Sequence, residues 1–260
     1  MSHSNNPHDV TIVQTEPSFG HTHITHVRTR SVVGSEDTLA KSRLLTIFTT
    51  IAINVSTVGL LTLVPWSDWK TGVALNLVDN TILLWYVAKH LDFALARFMV
   101  FGLAVGFSEL SADAWLVEYT KTLDYSIGGG PMLWHSPLWM PFAWEVVAVQ
   151  FGYVGLWLWN RLKGWGLVAN GLLGAINIPY YEEMARQINW WQYSNCRMLS
   201  YTPYYIILGE FGIAIMLAIL AKRLTNSTWA HAFFTGASGG VGIFLCYAFA
   251  YGITDGFIPH

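Results

Sequence analysis

Between Leu44 and Ile253 long apolar runs alternate with short polar breaks, and seven of these runs read as membrane-crossing helices. They fall at about 44–65, 72–90, 93–116, 137–160, 164–185, 203–222 and 229–253. At ~1.5 Å per residue each is long enough for the ~30 Å of hydrocarbon in a bilayer. The second, fifth and seventh are the least uniform. Asn76, Asp79 and Asn80 dilute the second, Pro179 interrupts the fifth, and TGASGGVG thins the seventh. Small and polar positions inside the runs recur at helical spacing. Thr46, Thr50, Asn54 and Thr57 share a face of the first run, and Asn76, Asp79 and Asn80 one of the second. Gly102, Gly106, Glu109 and Asp113 mark the third, and Asn170, Gly174, Asn177 and Tyr181 the fifth. The pattern predicts an all-α polytopic membrane protein: a seven-helix bundle over residues 43–260, with polar seams facing inward.

Residues 1–42 break the pattern. They are rich in His, Thr and Ser, lack an apolar core and lack the shape of a signal peptide, so a disordered tail is expected. His21, His23 and His26 in HTHITH read as part of a solvated low-complexity tract rather than a metal site. Basic residues set the expected orientation. Arg28, Arg30, Lys41, Arg43, Lys89, Arg97, Arg161, Lys163, Lys222 and Arg223 group with the N-terminus, against Lys70, Lys121, Arg186 and Arg197 on the other side. That bias predicts an inner N-terminus and an outer C-terminus, with the cell membrane as the expected location. In this topology Asn226 of NST is on the inner side and escapes glycosylation, and Asn54 of NVS lies within a span.

Composition agrees with the pattern: 53% of residues are hydrophobic, 15% aromatic and only 12% charged, about half the usual charged share of a soluble domain. No basic cluster suggests a nucleic-acid partner. Cys196 and Cys246 form no metal or disulfide pattern.

The acids are unusual. In the predicted topology Asp79, Glu109, Asp113, Glu145, Glu182, Glu183 and Glu210 all belong to the outer third of five helices. Glu145 and Glu210 lie eight and seven residues past Pro137 and Pro203, roughly 10–12 Å deep. The third–fourth and fifth–sixth helix pairs also share an order of acid, Trp, Tyr, Pro and Glu, namely Glu109, Trp115, Tyr125, Pro137, Glu145 and Glu183, Trp190, Tyr193, Pro203, Glu210. This is consistent with a parallel internal repeat.

Carboxyl groups that meet in low dielectric cannot all ionise, and one that keeps its proton is an acid. An ionised neighbour or an aromatic face then stabilises a cation. Trp115, Trp144, Tyr181, Trp190, Trp191 and Tyr205, with Asn177, are the expected binding surface. The set suits acid-initiated chemistry on an isoprenoid or similar lipid, needing no cofactor. Interhelical hydrogen bonding is the structural alternative for any single acid. A transporter or binding protein for a cation or amine, or a carboxylate-bridged metal enzyme, is the functional one. A metal site usually recruits histidine, and only His135 is near the cluster. A retinal protein is excluded, since the seventh run has no lysine.

The tripeptide Ala143, Trp144, Glu145, with the size and span count, resembles the integral-membrane terpene cyclases of meroterpenoid pathways. YYEEMARQINWWQY at Tyr180–Tyr193, followed by Pro203, is similar to the membrane-type carotenoid hydratases. Glutamates under an aromatic rim are also similar to the small membrane sterol isomerases. Together these imply acid chemistry on an isoprenoid, with Glu145 the proton donor and Glu210 or Glu109 its partner. The roles expected are Glu145 as general acid, Glu109 with Asp113 as electrostatic partner, Glu210 and Glu183 as base or water-positioning groups, and Asp79 in support.

Overall fold

The computed structural model describes residues 33–224 and 227–256. His21, His23, His26 and Asn226 lie outside these residues. Seven helices follow in order: α1 (Val33–Leu61), α2 (Trp69–His90), α3 (Phe93–Ala114), α4 (Met140–Leu162), α5 (Gly164–Gln187), α6 (Tyr204–Lys222) and α7 (Trp229–Thr254). Five stretches, Thr38–Leu61, Phe93–Tyr119, Met140–Leu162, Tyr204–Lys222 and Trp229–Thr254, are long and apolar enough to cross a membrane, and they mark the chain as a membrane protein. In α2 and α5 the buried Asn76, Asp79, Asn170 and Glu182 lower the apolar character.

The first helix begins at Val33, nine residues before the expected end of the tail. The intervening sequence includes the helix-favouring Glu36, Leu39, Ala40 and Lys41, and its continuation is anchored. Arg43 forms a two-point ion pair with Asp92, Nε to Oδ2 at 2.6 Å and Nη2 to Oδ1 at 2.8 Å. Asp92 in turn caps α3, accepting from the Ala94 and Leu95 amides. Asp92 is almost wholly buried, so Arg43→Met leaves a carboxylate without its cation. The expected cost is about 3–5 kcal/mol, read as an earlier thermal melt of the solubilised protein. An unchanged melt would count against the anchor.

Helices α3 to α7 form the main body, with α3 at its centre between α4 and α7, and α1 and α2 lean on one side. Glycines let the central helices approach closely. A Cβ at Gly102 would press on the backbone of Glu145, one at Gly106 on Pro141, one at Gly236 on Phe101, and one at Gly240 on Ser108.

The α3–α4 and α5–α6 connections lie at the same end of the bundle and repeat one design. Strand β1 (Leu123–Asp124) follows α3, and β4 (Gln192–Tyr193) follows α5. The two pair with each other antiparallel, Leu123 opposite Tyr193 and Asp124 opposite Gln192. Each is followed by a tight ribbon: β2 (Met132–Leu133) with β3 (Ser136–Pro137), and β5 (Met198–Leu199) with β6 (Thr202–Pro203). The sequences MLWHSP and MLSYTP match position for position, Met opposite Pro and Leu opposite Ser or Thr. Trp134 and Ser200 carry the same left-handed backbone, at φ 56° and 57°. The internal repeat is therefore visible in the loops. It is imperfect: a single π-helical turn, Trp115–Tyr119, extends α3 and has no counterpart after α5.

Candidate functional site

A cavity of about 160 Å³ lies beneath these loops. All seven helices wall it. Asn54 comes from α1, and Leu75, Asn76 and Asp79 from α2. Asp113 ends α3, and Ala143, Trp144, Val147 and Gln150 come from α4. Gly174, Asn177, Tyr181 and Glu182 come from α5, and Glu210 from α6. Tyr247 of α7 completes the wall, and Tyr125, Trp139, Trp190, Trp191 and Tyr193 close the loop end. Trp190 is held by its indole N–H, which donates to the Asp68 carbonyl and to Thr71 Oγ1, both at 3.1 Å. The rings of Trp139 and Trp190 are 5.3 Å apart, and Trp191 packs against both. This aromatic lid joins α2 to both long loops.

The carboxyl groups fall into two sets. The first is near the lid. Asp113 Oδ2 accepts from the Tyr125 hydroxyl at 2.8 Å and from Ser136 at 2.7 Å. Glu182 accepts from the Trp191 indole at 2.5 Å and from Tyr193 at 3.3 Å. The two are related by the repeat: each acid lies in the last two turns of its helical segment, and each takes a tyrosine from the β-strand segment that follows. Burial first, then the neighbouring acids, hold both Tyr125 and Tyr193 well above the usual phenol range, so both remain O–H donors. Glu210 accepts from Tyr247 at 2.5 Å. Glu109 lies behind this set, fully buried, with Asp113, Glu210 and the Trp144 indole around it, and neither of its oxygens has a hydrogen-bond partner among the described residues.

The second set is Asp79. It lies ten residues into α2, roughly 15 Å from the lid end of that helix. Its surroundings are the Asn54 amide and Tyr181. It is almost completely buried, lines the cavity, and its Oδ1 has no hydrogen-bond partner among the described residues. None of the ion pairs found among those residues involves either set.

Of the expected catalytic residues, Asp79, Asp113 and Glu210 line the cavity and Glu109 stands directly behind it. Glu145 does not. At 3.6 residues per turn, Ala143, Trp144, Val147 and Gln150 share one face of α4, and Glu145 projects from the opposite face, where α3 packs through Gly102. It is buried there without a hydrogen bond among the described residues. Glu183 is also elsewhere, bonded to Gln187 and Ser200 on the outside of α5; its neighbour Glu182 takes the inward place. Among the aromatics, Trp144, Tyr181, Trp190 and Trp191 line the cavity, as does Asn177. Trp115 packs instead against Tyr119, Phe244 and Tyr251, and Tyr205 is buried against Thr122 at 2.7 Å.

Gln150 and Tyr247 belong to the site but were not singled out from the sequence, and Tyr125 and Tyr193 were read there only as members of the repeat. Gln150 carried a usable signal. It is the one amide in α4 before Asn160, and its face is the face of Trp144. Its amide reaches Thr50 of α1 at 3.1 Å. Among the described residues no group of three or more His, Cys, Asp and Glu is arranged to hold a metal ion.

A family model described as a domain of unknown function (DUF6989) matches residues 110–254, more than half of the chain. The match takes in the repeated loops and every cavity-lining residue except those of α1 and α2. No curated protein and no solved structure matches the chain.

Proposed function

The chain belongs to the DUF6989 family, and we propose that it is a membrane enzyme that uses the carboxyl-lined cavity for acid-initiated chemistry on an isoprenoid or similar lipid. In this reading all seven helices cross the bilayer, with the N-terminus inside and the lid end outside. The basic residues support that orientation: Arg43, Lys89, Arg161 and Lys222 gather at the end opposite the lid, the last three each over a tryptophan face.

The observation that carries the reading is the division of labour among the acids. Asp113, Glu182 and Glu210 are each engaged by O–H or N–H donors, which stabilise whichever of them is ionised. Asp79 lines this largely aromatic cavity with no cation beside it and carries a buried oxygen without a hydrogen-bond partner among the described residues, an environment that favours the neutral COOH form. Asp79 then gives its proton to an alkene carbon or an epoxide oxygen. The resulting carbocation is held by the faces of Trp144, Trp190 and Tyr181. It ends when Glu210, Asp113 or Glu182 removes a proton from carbon, or when water adds and loses one. The base releases its proton to solvent, and Asp79 takes one up from solvent, which restores both groups.

The test uses membranes containing the protein, incubated with farnesol and with 10,11-epoxyfarnesol. Gas chromatography with mass detection should find cyclised or isomerised products of unchanged mass, or products that have gained one water. The unchanged probes alone would reject the reading. The acids also suit capture of a cation, and stabilisation by divalent metal ions or alkylamines, but not by farnesol, would favour a transporter or binding protein.

The geometry separates two variants that the sequence would rank the other way. Glu145→Gln is expected to keep turnover within about tenfold of the parent protein, because its carboxyl is not in the cavity. A loss as large as that of an Asp79 variant would return the donor role to Glu145.

A further inference from the structure

The cavity is too small for the substrate class proposed above. Its 160 Å³ is close to the ~150 Å³ of an engineered apolar cavity that takes a single benzene ring. A ring-sized fragment fits, and the rest of a farnesyl or longer chain must leave it.

A second depression shows where. It is an apolar groove of about 410 Å³ between α1 and α2, lined by Ile53, Thr57 and Leu61 on one helix and Ala74, Leu75 and Val78 on the other. Leu75 lines both spaces. On each side of it the two helices show alternate faces: Ile53 to the groove and Asn54 to the cavity, Val78 to the groove and Asp79 to the cavity. The groove and the cavity are thus the two sides of a wall one side chain thick. The groove begins near the lid end at Trp66 and Lys70, and Trp66 is largely exposed. Helices α1 and α2 are also the least tightly packed in the bundle, since they meet the main body through few contacts.

We propose that the α1–α2 groove is the binding site for the prenyl tail of the substrate, which passes over Leu75 while its reacting end occupies the cavity. This rests on the isoprenoid reading and makes it more specific: the substrate is an isoprenoid of three or more units, approached sideways from the bilayer. The residues that set chain length are then Thr57, Ala74 and Leu75, none of which carries chemistry.

The experiment is a binding series on the full chain in nanodiscs, using geraniol, farnesol, geranylgeraniol and 1-tetradecanol, with the rise in melting temperature as the readout. The parent protein should bind farnesol and geranylgeraniol at least about tenfold more tightly than geraniol, since each added unit buries apolar carbon. Ala74→Trp, which fills the groove, should bring the longer alcohols down to the level of geraniol and leave geraniol unchanged. Thr57→Trp, on the facing helix, should do the same and guards against a variant that fails to fold. Equal binding of all three prenyl alcohols, or equal losses for all three in both variants, would overturn the proposal. So would 1-tetradecanol matching farnesol, which would assign the groove to ordinary acyl chains of the bilayer. If the chain-length dependence holds but farnesol is never converted, the tail site stands and the acid chemistry fails. If conversion occurs without chain-length dependence, the reverse is true.

Discussion

Asp79→Asn is expected to lower turnover of an isoprenoid probe by about 10²–10⁴-fold, the usual contribution of a positioned general acid. The substitution keeps the size and shape of the side chain and removes only the transferable proton. The Asn54 amide beside it retains an acceptor oxygen, so folding should change little. Binding of farnesol should survive, which separates this variant from one that distorts the cavity. Asp79→Glu carries the proton on a longer arm and should recover part of the rate. A fully active Asp79→Asn protein would remove the proposed donor. A variant that neither binds nor turns over would assign Asp79 to structure.

Gly106→Val should prevent assembly of the bundle altogether. The first carbon added at Gly106 would fall 2.7 Å from the carbonyl carbon of Pro141 and 2.9 Å from its Cα, and both belong to backbone that has no side-chain freedom to yield. Overpacking a protein interior costs typically 1–3 kcal/mol where side chains can adjust, and here α4 itself must move. Because α4 carries Trp144 and Gln150 into the cavity, the displacement also dismantles the site. The expected result is loss of the monodisperse peak in size-exclusion chromatography of the solubilised protein. Gly164→Ala and Gly252→Ala are the controls, since a Cβ at either meets nothing within 4 Å. A normal elution profile for Gly106→Val would contradict the close approach of α3 and α4.

The inward face of most helices was legible because small and polar residues mark it at regular spacing. On α5, Gly174, Asn177 and Tyr181 line the cavity, and Asn170 ties α5 to α4 and α6 by donating to the Phe151 and Ala214 carbonyls. On α3 the same stripe of Gly102, Gly106, Glu109 and Asp113 runs from helix contact to cavity wall. Helix α4 has no such stripe around Glu145. It is apolar on every side, so an isolated acid gives no direction, and only Gln150 would have shown that the cavity face lies opposite. Glu182 and Glu183 are adjacent, and composition alone does not say which turns inward; the tyrosine and tryptophan of the following strand decide it. The repeat was legible as an order of residue types, but its alignment was not. The extra turn at Trp115–Tyr119 shifts the register, so that Asp113 corresponds to Glu182, where the order of types had paired Glu109 with Glu183. The start of α1 at Val33 was hidden because its first turns are polar and therefore resemble the tail before them.

The most direct test is a crystal structure grown from a lipid phase with 10,11-epoxyfarnesol bound to the Asp79→Asn protein, which should hold the probe unreacted. The account predicts density with the epoxide within hydrogen-bond reach of residue 79, the neighbouring carbons against Trp144 and Tyr181, and the chain passing Leu75 into the α1–α2 groove. Density for a metal ion bridging Asp113, Glu182 and Glu210, or a probe lying only on the outer surface with the cavity filled by water, would contradict it.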